Sequence, residues 1–194
     1  MAITKAQKEE ILKGYVEMLQ GAQGMVAGML GVPPENVTVR TTYLGGGFGR
    51  RVCVDYAVQA AAISKAVGRP VRMLWTREDD MKHDFYRPMS IHQLDGVLGA
   101  NGQLEFMKAK MVSQSVTARA FPGFVKDGFD PFMVEGSNNV TYDIPNMEIT
   151  NVITDTGLRV GYWRSVSNAL NAFAIESFVD EAAKAAGKDP VAFR

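Results

Sequence analysis

Cysteine and histidine are nearly missing from this chain. Cys53 is its only cysteine, and His83 and His92 are its only histidines. That excludes an internal disulfide and a zinc or iron–sulfur site built on cysteine, and two isolated histidines do not make a histidine-rich metal site. A surplus of either charge is missing too, since 21 Lys+Arg balance 21 Asp+Glu. No overall field draws the chain to nucleic acid or to an anionic membrane, so any anion site has to be local. No apolar run approaches the ~20 residues that span a bilayer. The start, MAITKAQKEEILKGYVEMLQ, is charged throughout and has no secretory core, and Arg50-Arg51 is internal with no such core after it. No export signal is expected, and the cell compartment is left open.

What is present reads as an ordinary globular protein. The 194 residues are 46% hydrophobic and 22% charged, enough for one domain or two small ones. Residues 4–19 have helical periodicity, with Ile11, Leu12, Tyr15, Val16 and Leu19 on one face. A second helix over about 21–30 ends at Gly31, where Pro33-Pro34 forbids continuation. Val37–Leu44 is β-branched and aromatic, which predicts a strand. Residues 52–67 predict a helix and Val71–Trp75 another strand, together a β-α-β unit with a right-handed parallel crossover.

Asn101-Gly102 predicts a hairpin turn between strands over 91–98 and 104–112. In the second of these strands Leu104 and Phe106 fall on one face, with Met107, Ala109 and Met111 on the other, which predicts cover on both sides. Residues 113–146 lack periodicity but hold Phe121, Phe124, Phe129 and Phe132 between prolines and glycines, as a functional loop or docking segment would. Met147–Ile153 reads as a weaker strand. Asn168–Ala186 is the clearest helix, with an expected buried stripe of Leu170, Phe173, Ala174, Ser177, Phe178 and Ala182. Gly187 suits its end, and Asp189-Pro190 opens a further helix.

Two turns carry chemistry. The first is Gly45-Gly46-Gly47-Phe48-Gly49-Arg50-Arg51, between a predicted strand and a predicted helix. Its glycines permit a sharp bend and the close approach of a ligand. The following helix N-terminus and the guanidinium forks of Arg50 and Arg51 suit an anion. Close packing of helix on sheet explains the glycines equally well. The spacing G-x-G-x-x-G of dinucleotide folds is absent, the offset of Glu78 and Asp79 is long for a ribose contact, and the Gly-Lys-Ser/Thr of phosphate-loop NTPases is missing.

The second turn is Gly161-Tyr162-Trp163-Arg164-Ser165-Val166-Ser167-Asn168. It is either an anion seat led by Arg164 or a capped helix start with Ser167 or Asn168 as N-cap. His83 and His92 read as a surface and a strand residue. Cys53 is placed in the first turn of a helix, as a thiol of lowered pKa or as a small buried hydrophobe. The sequon Asn139-Val140-Thr141 carries no weight without evidence of secretion.

The blocks LGVPPENVTVRTTYLGGGFGRR, GRPVRMLWTREDDMKHDFYRP, YDIPN and WRSVSNALNAFAIESFVDE, in this order, resemble the molybdopterin-binding large subunit of the xanthine dehydrogenase/aldehyde oxidase family. The branch they are most similar to is the isoquinoline 1-oxidoreductase beta-subunit type. The resemblance runs over about residues 21–194 and leaves 1–20 as an unrelated helical start. It implies a mixed α/β or α+β fold, a β-α-β unit plus a β-hairpin with packed helices, inside a larger cofactor-binding domain. It also implies a molybdenum–molybdopterin cytosine dinucleotide whose metal is held by the pterin's own sulfurs. A shortage of Cys and His is then no obstacle.

By resemblance, Gly45, Gly46, Gly47, Phe48, Gly49 and Arg50 contact the cofactor, and so do Arg164, Ser165 and Val166. The implied reaction is hydroxylation of an aldehyde or an N-heterocycle, with electrons passing to an iron–sulfur subunit or domain. The chain departs from the branch at Ser167, where glycine is usual, and at Leu170, where a polar residue is frequent. The family's glutamate base lies in a Gly-rich block that this sequence lacks, so no catalytic residue and no metal-ligating residue is assigned. The expectation is an interior fragment that is inactive alone. The other reading is a non-catalytic structural or partner-docking module, with residues 113–146 as the docking segment.

Overall fold

The computed structural model describes residues 20–43 and 45–194. The helix expected over 4–19 lies outside the described residues. The chain forms two units, Met1–His83 and Asp84–Arg194.

In the first unit residues 20–30 are helical (α1). This helix stops where expected. Gly31 takes φ 72°, and its N–H donates to Gly28 O while that of Val32 donates to Ala27 O, so the last carbonyls are satisfied. Pro34–Asn36 then forms a 3-10 turn. Gln23 Nε2 ties it back to α1 by donating to Pro34 O and Val37 O, both at 2.9 Å. Helix α2 spans Asp55–Val67 and ends at Gly68, whose φ is 65°. Lys65 Nζ donates to the Leu30 carbonyl at 2.9 Å and so caps α1. Helix α3 spans Arg77–His83.

The expected β-α-β unit is not formed among the described residues. Neither residues 37–43 nor Val71–Trp75 pairs into a ladder among the described residues. Val37 is extended, as its β-branched character dictates, but extension becomes a strand only when a neighbour accepts its hydrogen bonds.

The second unit holds a three-stranded sheet of order β1-β2-β3. Strands β1 (Ser90–Leu98) and β2 (Leu104–Ser113) form the expected antiparallel hairpin. Its turn closes with Gly102 at φ 66° and with Asn101 Oδ1 accepting from Gln103 N at 2.9 Å. Strand β3 (Asn146–Ile153) lies parallel to β2, so this parallel pair joins strands separated by residues 114–145.

The register slips between Val97 and Leu98, so that Leu98 faces Leu104 while Val97 faces Phe106. This bulge reverses the alternation beyond it. Leu104 therefore joins Met107 and Ala109 on the buried face, not Phe106 as the simple period would have it. The opposite face of β2 carries Lys108, which pairs with Glu148 across the parallel ladder at 2.6 Å. Cover is complete on one face only.

Helix α5 (Asn168–Ala185) closes the buried face, with Ile175, Val179 and Ala182 against Leu104, Met107 and Ala109. Gly96 leaves room for Phe178, because a Cβ there would stand 2.7 Å from its ring. The stripe is rotated from the expected one. Phe173 is exposed, and the buried line runs through Asn171, Ile175, Val179 and Ala182–Ala183. Apolar side chains sit on both sides of this helix, so the period alone did not fix its rotation. Asn171 settles it, since its buried amide donates to the carbonyls of Met133 and Glu135 at 2.8 and 2.7 Å.

Residues 114–145 are the crossover of the parallel pair rather than a free loop. They include α4 (Val116–Ala120) and a 3-10 turn at Pro122–Phe124. They bury Met133, Val134 and the carboxylate of Asp130, which accepts from Ser115 Oγ at 2.6 Å and Phe132 N at 2.9 Å. The short helix α6 (Pro190–Phe193) opens as expected, with Asp189 Oδ1 accepting from Val191 N and Ala192 N.

Candidate cofactor-binding turns

The glycine turn lies in the first unit. Gly46 has φ 147° and Gly49 φ 89°, values that a Cβ disfavours. Phe48 itself sits at φ 48° with an exposed side chain. Its ring folds back over Gly46, where a Cβ would stand 2.6 Å from Phe48 Cε2. Glycine at 46 therefore serves both the bend and the placement of Phe48. The turn does not run straight into an α-helix. Arg50 N donates to Gly47 O at 2.9 Å, and Arg50–Val52 forms one 3-10 turn before α2 begins at Asp55.

Two sequence expectations change with this. Arg50 is not an open fork, because it makes a two-pronged pair with Asp55 at 2.8 and 3.0 Å and also donates to Cys53 O. Its work is to tie the turn to the first residue of α2. Cys53 lies at the end of the 3-10 turn, ahead of α2 and not in its first turn. Arg50 and Arg51 both lie against the Tyr56 ring, at 6.0 and 5.6 Å.

The second turn lies in the second unit and is strained. Ser165 and Val166 have φ of 73° and 44°, left-handed values that are unusual for serine and a true outlier for a β-branched residue. The turn is closed by Val166 N donating to Trp163 O and Asn168 N to Ser165 O, each at 2.9 Å. Ser167 occupies the N-cap position of α5 without a side-chain cap bond. Asn168 instead reaches Glu135, whose carboxyl is pushed up from its ordinary value by burial and then by the charge of Asp130.

Arg87 holds this turn from outside. Its Nη1 donates to Val166 O at 2.9 Å and its Nη2 to Arg164 O at 3.0 Å, and the guanidinium lies 5.7 Å from the Trp163 ring centroid. Trp163 Nε1 donates in turn to Phe85 O at 3.0 Å. Phe85 is buried against two further guanidinium groups, Arg119 at 4.0 Å and Arg159 at 4.9 Å from its ring. Gly161 permits the packing, since a Cβ there would meet Phe85 Cβ at 2.5 Å. Arg87, Arg119 and Arg159 thus pack against Phe85, Trp163 and the main chain of residues 160–166.

Sequence reasoning did not find Arg87, Arg119 or Arg159. Arg87 stands 77 and 79 residues from the carbonyls it binds, and no local spacing announces such a contact. Phe121 reaches the same region, 6.2 Å from Tyr162. Among the described residues no cluster of His, Cys, Asp or Glu is arranged to hold a metal. No helix among them is long and apolar enough to cross a membrane.

Over residues 5–194 the sequence matches the molybdopterin cofactor-binding domain family. The chain belongs to that family. It is 33% identical over 178 residues to the isoquinoline 1-oxidoreductase subunit beta of Brevundimonas diminuta, a match covering 89% of this chain and 22% of the relative. It is 34% identical over 178 residues to a membrane-bound aldehyde dehydrogenase (pyrroloquinoline-quinone) of Gluconacetobacter polyoxogenes, covering 87% of this chain and 23% of that one. Among solved structures, quinoline 2-oxidoreductase from Pseudomonas putida 86 shares the fold with a TM-score of 0.73 at 21% identity, covering 91% of this chain and 22% of that one.

This molybdopterin-binding domain therefore has a mixed α/β fold. The chain spans less than a quarter of the length of the relatives it matches. The left-handed Ser165–Val166 turn, held at its carbonyls by the Arg87 guanidinium, is compatible with an anionic group. The glycine turn offers close backbone approach.

Proposed function

We propose that this domain supplies cofactor contacts to a molybdenum hydroxylase that oxidises an aldehyde or an N-heterocycle. Gly45, Gly46, Gly47, Phe48, Gly49 and Arg50 are the contacts from the first unit. Arg164, Ser165 and Val166 are those from the second. The observation that carries the reading is the left-handed pair Ser165–Val166 set among arginines, a strain that a structural cap does not need. When bound, a molybdenum–pterin cofactor supplies the two-electron oxidation of carbon, and the protein supplies binding and orientation. In this chain, main-chain N–H groups and guanidinium groups neutralise the cofactor's phosphates, and Phe48 offers an exposed ring at the glycine turn.

The dinucleotide form proposed is the cytosine one, and the proposed electron acceptor is an iron–sulfur subunit. The 194 residues alone are proposed to be inactive, because no residue here is assigned as the base. Turnover by the isolated chain with bound molybdenum would refute that.

Molybdenum and cytidine nucleotide measured on the complete subunit test the reading directly. Both are expected in equal amounts, and a quinone in place of molybdenum would overturn it. Gly47→Val narrows the test to the first turn. A branched side chain blocks backbone approach, and molybdenum content should fall on the order of tenfold, the factor that goes with about 1.4 kcal/mol of lost binding. Unchanged content would remove the glycine turn from the site.

A further inference from the structure

We infer that Arg87 is a positioning residue, a clamp that turns two main-chain N–H groups of the Arg164–Ser167 turn toward the cofactor's anionic part. The inference rests on the cofactor reading above and adds a residue that neither the motifs nor the family match singles out.

The argument begins with the peptide group. Every peptide bond among the described residues is trans. In a trans peptide the carbonyl oxygen of one residue and the N–H of the next point in opposite directions. Arg87 draws the carbonyl oxygens of Arg164 and Val166 to its own side, at 3.0 and 2.9 Å. The N–H groups of Ser165 and Ser167 must then face the other side.

The groups between them are already used. Val166 N donates to Trp163 O, and Ser165 O accepts from Asn168 N. The Ser165 and Ser167 N–H groups donate to no acceptor among the described residues. Two donors aimed the same way, one on an exposed serine, make a small concave seat for an anion.

The left-handed backbone at Ser165 and Val166 would relax without an outside hold. A planar guanidinium is suited to that task, because its two terminal nitrogens reach two carbonyls at once in a fixed fork. Arg87 is itself held on both flanks. Tyr86 forms a parallel bridge with Val160, and the guanidinium rests on Trp163, whose indole is bonded to Phe85 O. The clamp is therefore built into the entry to the turn.

The test uses the complete subunit, wild type and Arg87→Ala, with two readouts. One is amide hydrogen exchange resolved at residues 165–168. The other is molybdenum and organic phosphate per protein. With the clamp removed, exchange at 165–168 should quicken on the order of tenfold, the scale set by the strain of one left-handed residue. Exchange at Ile175 and Val179 in the core of α5 should not change. Molybdenum and phosphate should fall together.

Arg87→Lys keeps the charge but not the fork, so it should recover only part of both readouts. It also serves as the working variant if Arg87→Ala does not fold. Exchange at 165–168 equal to wild type would overturn the clamp. Quickened exchange with unchanged cofactor content would overturn its role toward the cofactor. A wild-type subunit without molybdenum would sink the cofactor reading instead, while the exchange data would still report on the clamp.

Discussion

In the second unit Met107 and Ile175 share one core with 0% and 1% of their surfaces exposed, whereas in the first unit Leu74 is 87% exposed. Helix α2 buries no residue completely, and α5 buries five. The two units have similar apolar sequences, so composition does not explain the difference. Pairing does. In the second unit β2 has a neighbour on each edge, and α5 covers one face. In the first, residues 37–43 and 71–75 have strand-forming sequences and no ladder partner among the described residues. Val39, Tyr43, Ile63, Val67, Leu74 and Met81 are all exposed there.

The contrast can be broken by removing the same kind of side chain from each unit. Met107→Ala or Ile175→Ala should cost about 2–5 kcal/mol, read as a lower urea midpoint, because each leaves a cavity that the sheet and α5 cannot close. In the 194-residue chain Leu74→Ala should stay within about 0.5 kcal/mol. In the complete subunit it should approach the core values, if the exposed face is covered there. A neutral Leu74→Ala in the complete subunit would show that the first unit is open by design.

A smaller effect probes what fixes the crossover of the second unit. Asp130 is fully buried and accepts from Ser115 Oγ and Phe132 N. Asp130→Ala strands both donors and should cost about 1–3 kcal/mol for each one left unsatisfied. Asp130→Asn keeps the shape and one acceptor, so it should cost less. Equal urea midpoints for the two variants would mean that packing, and not hydrogen bonding, seats the crossover.

These cases also show how far the sequence reaches. Helix α5, its Gly187 end, the Asn101-Gly102 hairpin turn and the Asp189-Pro190 cap were legible because each is decided within a few residues. The mixed fold followed from them together with the family blocks. The rotation of α5 was not legible, because apolar residues flank it on both sides and a polar Asn171 takes the central position. Nor was the bulge that moves Leu104 to the Met107 face, since one extra residue leaves no mark in composition. At the glycine turn the residue types announced the bend, but Arg50 reads as a free cation until Asp55 is seen to hold it. At the second turn Arg164 was visible and Arg87 was not.

The smallest effect tests the electrostatics beside that second turn. Burial, and then Asp130, raises the Glu135 carboxyl above its ordinary value of 4.5. A carboxyl whose folded value is raised adds to stability below its unfolded value, and that contribution is lost as pH rises through the folded one. At neutral pH the Glu135 charge is therefore a burden on the second unit. Glu135→Gln removes the charge and keeps an acceptor for Asn168 Nδ2, which lies 3.3 Å from Glu135 Oε2. The variant should melt higher than wild type by about a degree or two at pH 7, and the gain should vanish near pH 4, where wild type is protonated. A gain that persists at pH 4 would assign the effect to packing and leave the charge without consequence. A loss at pH 7 would mean that the Glu135 charge is held by favourable contacts that outweigh burial and Asp130.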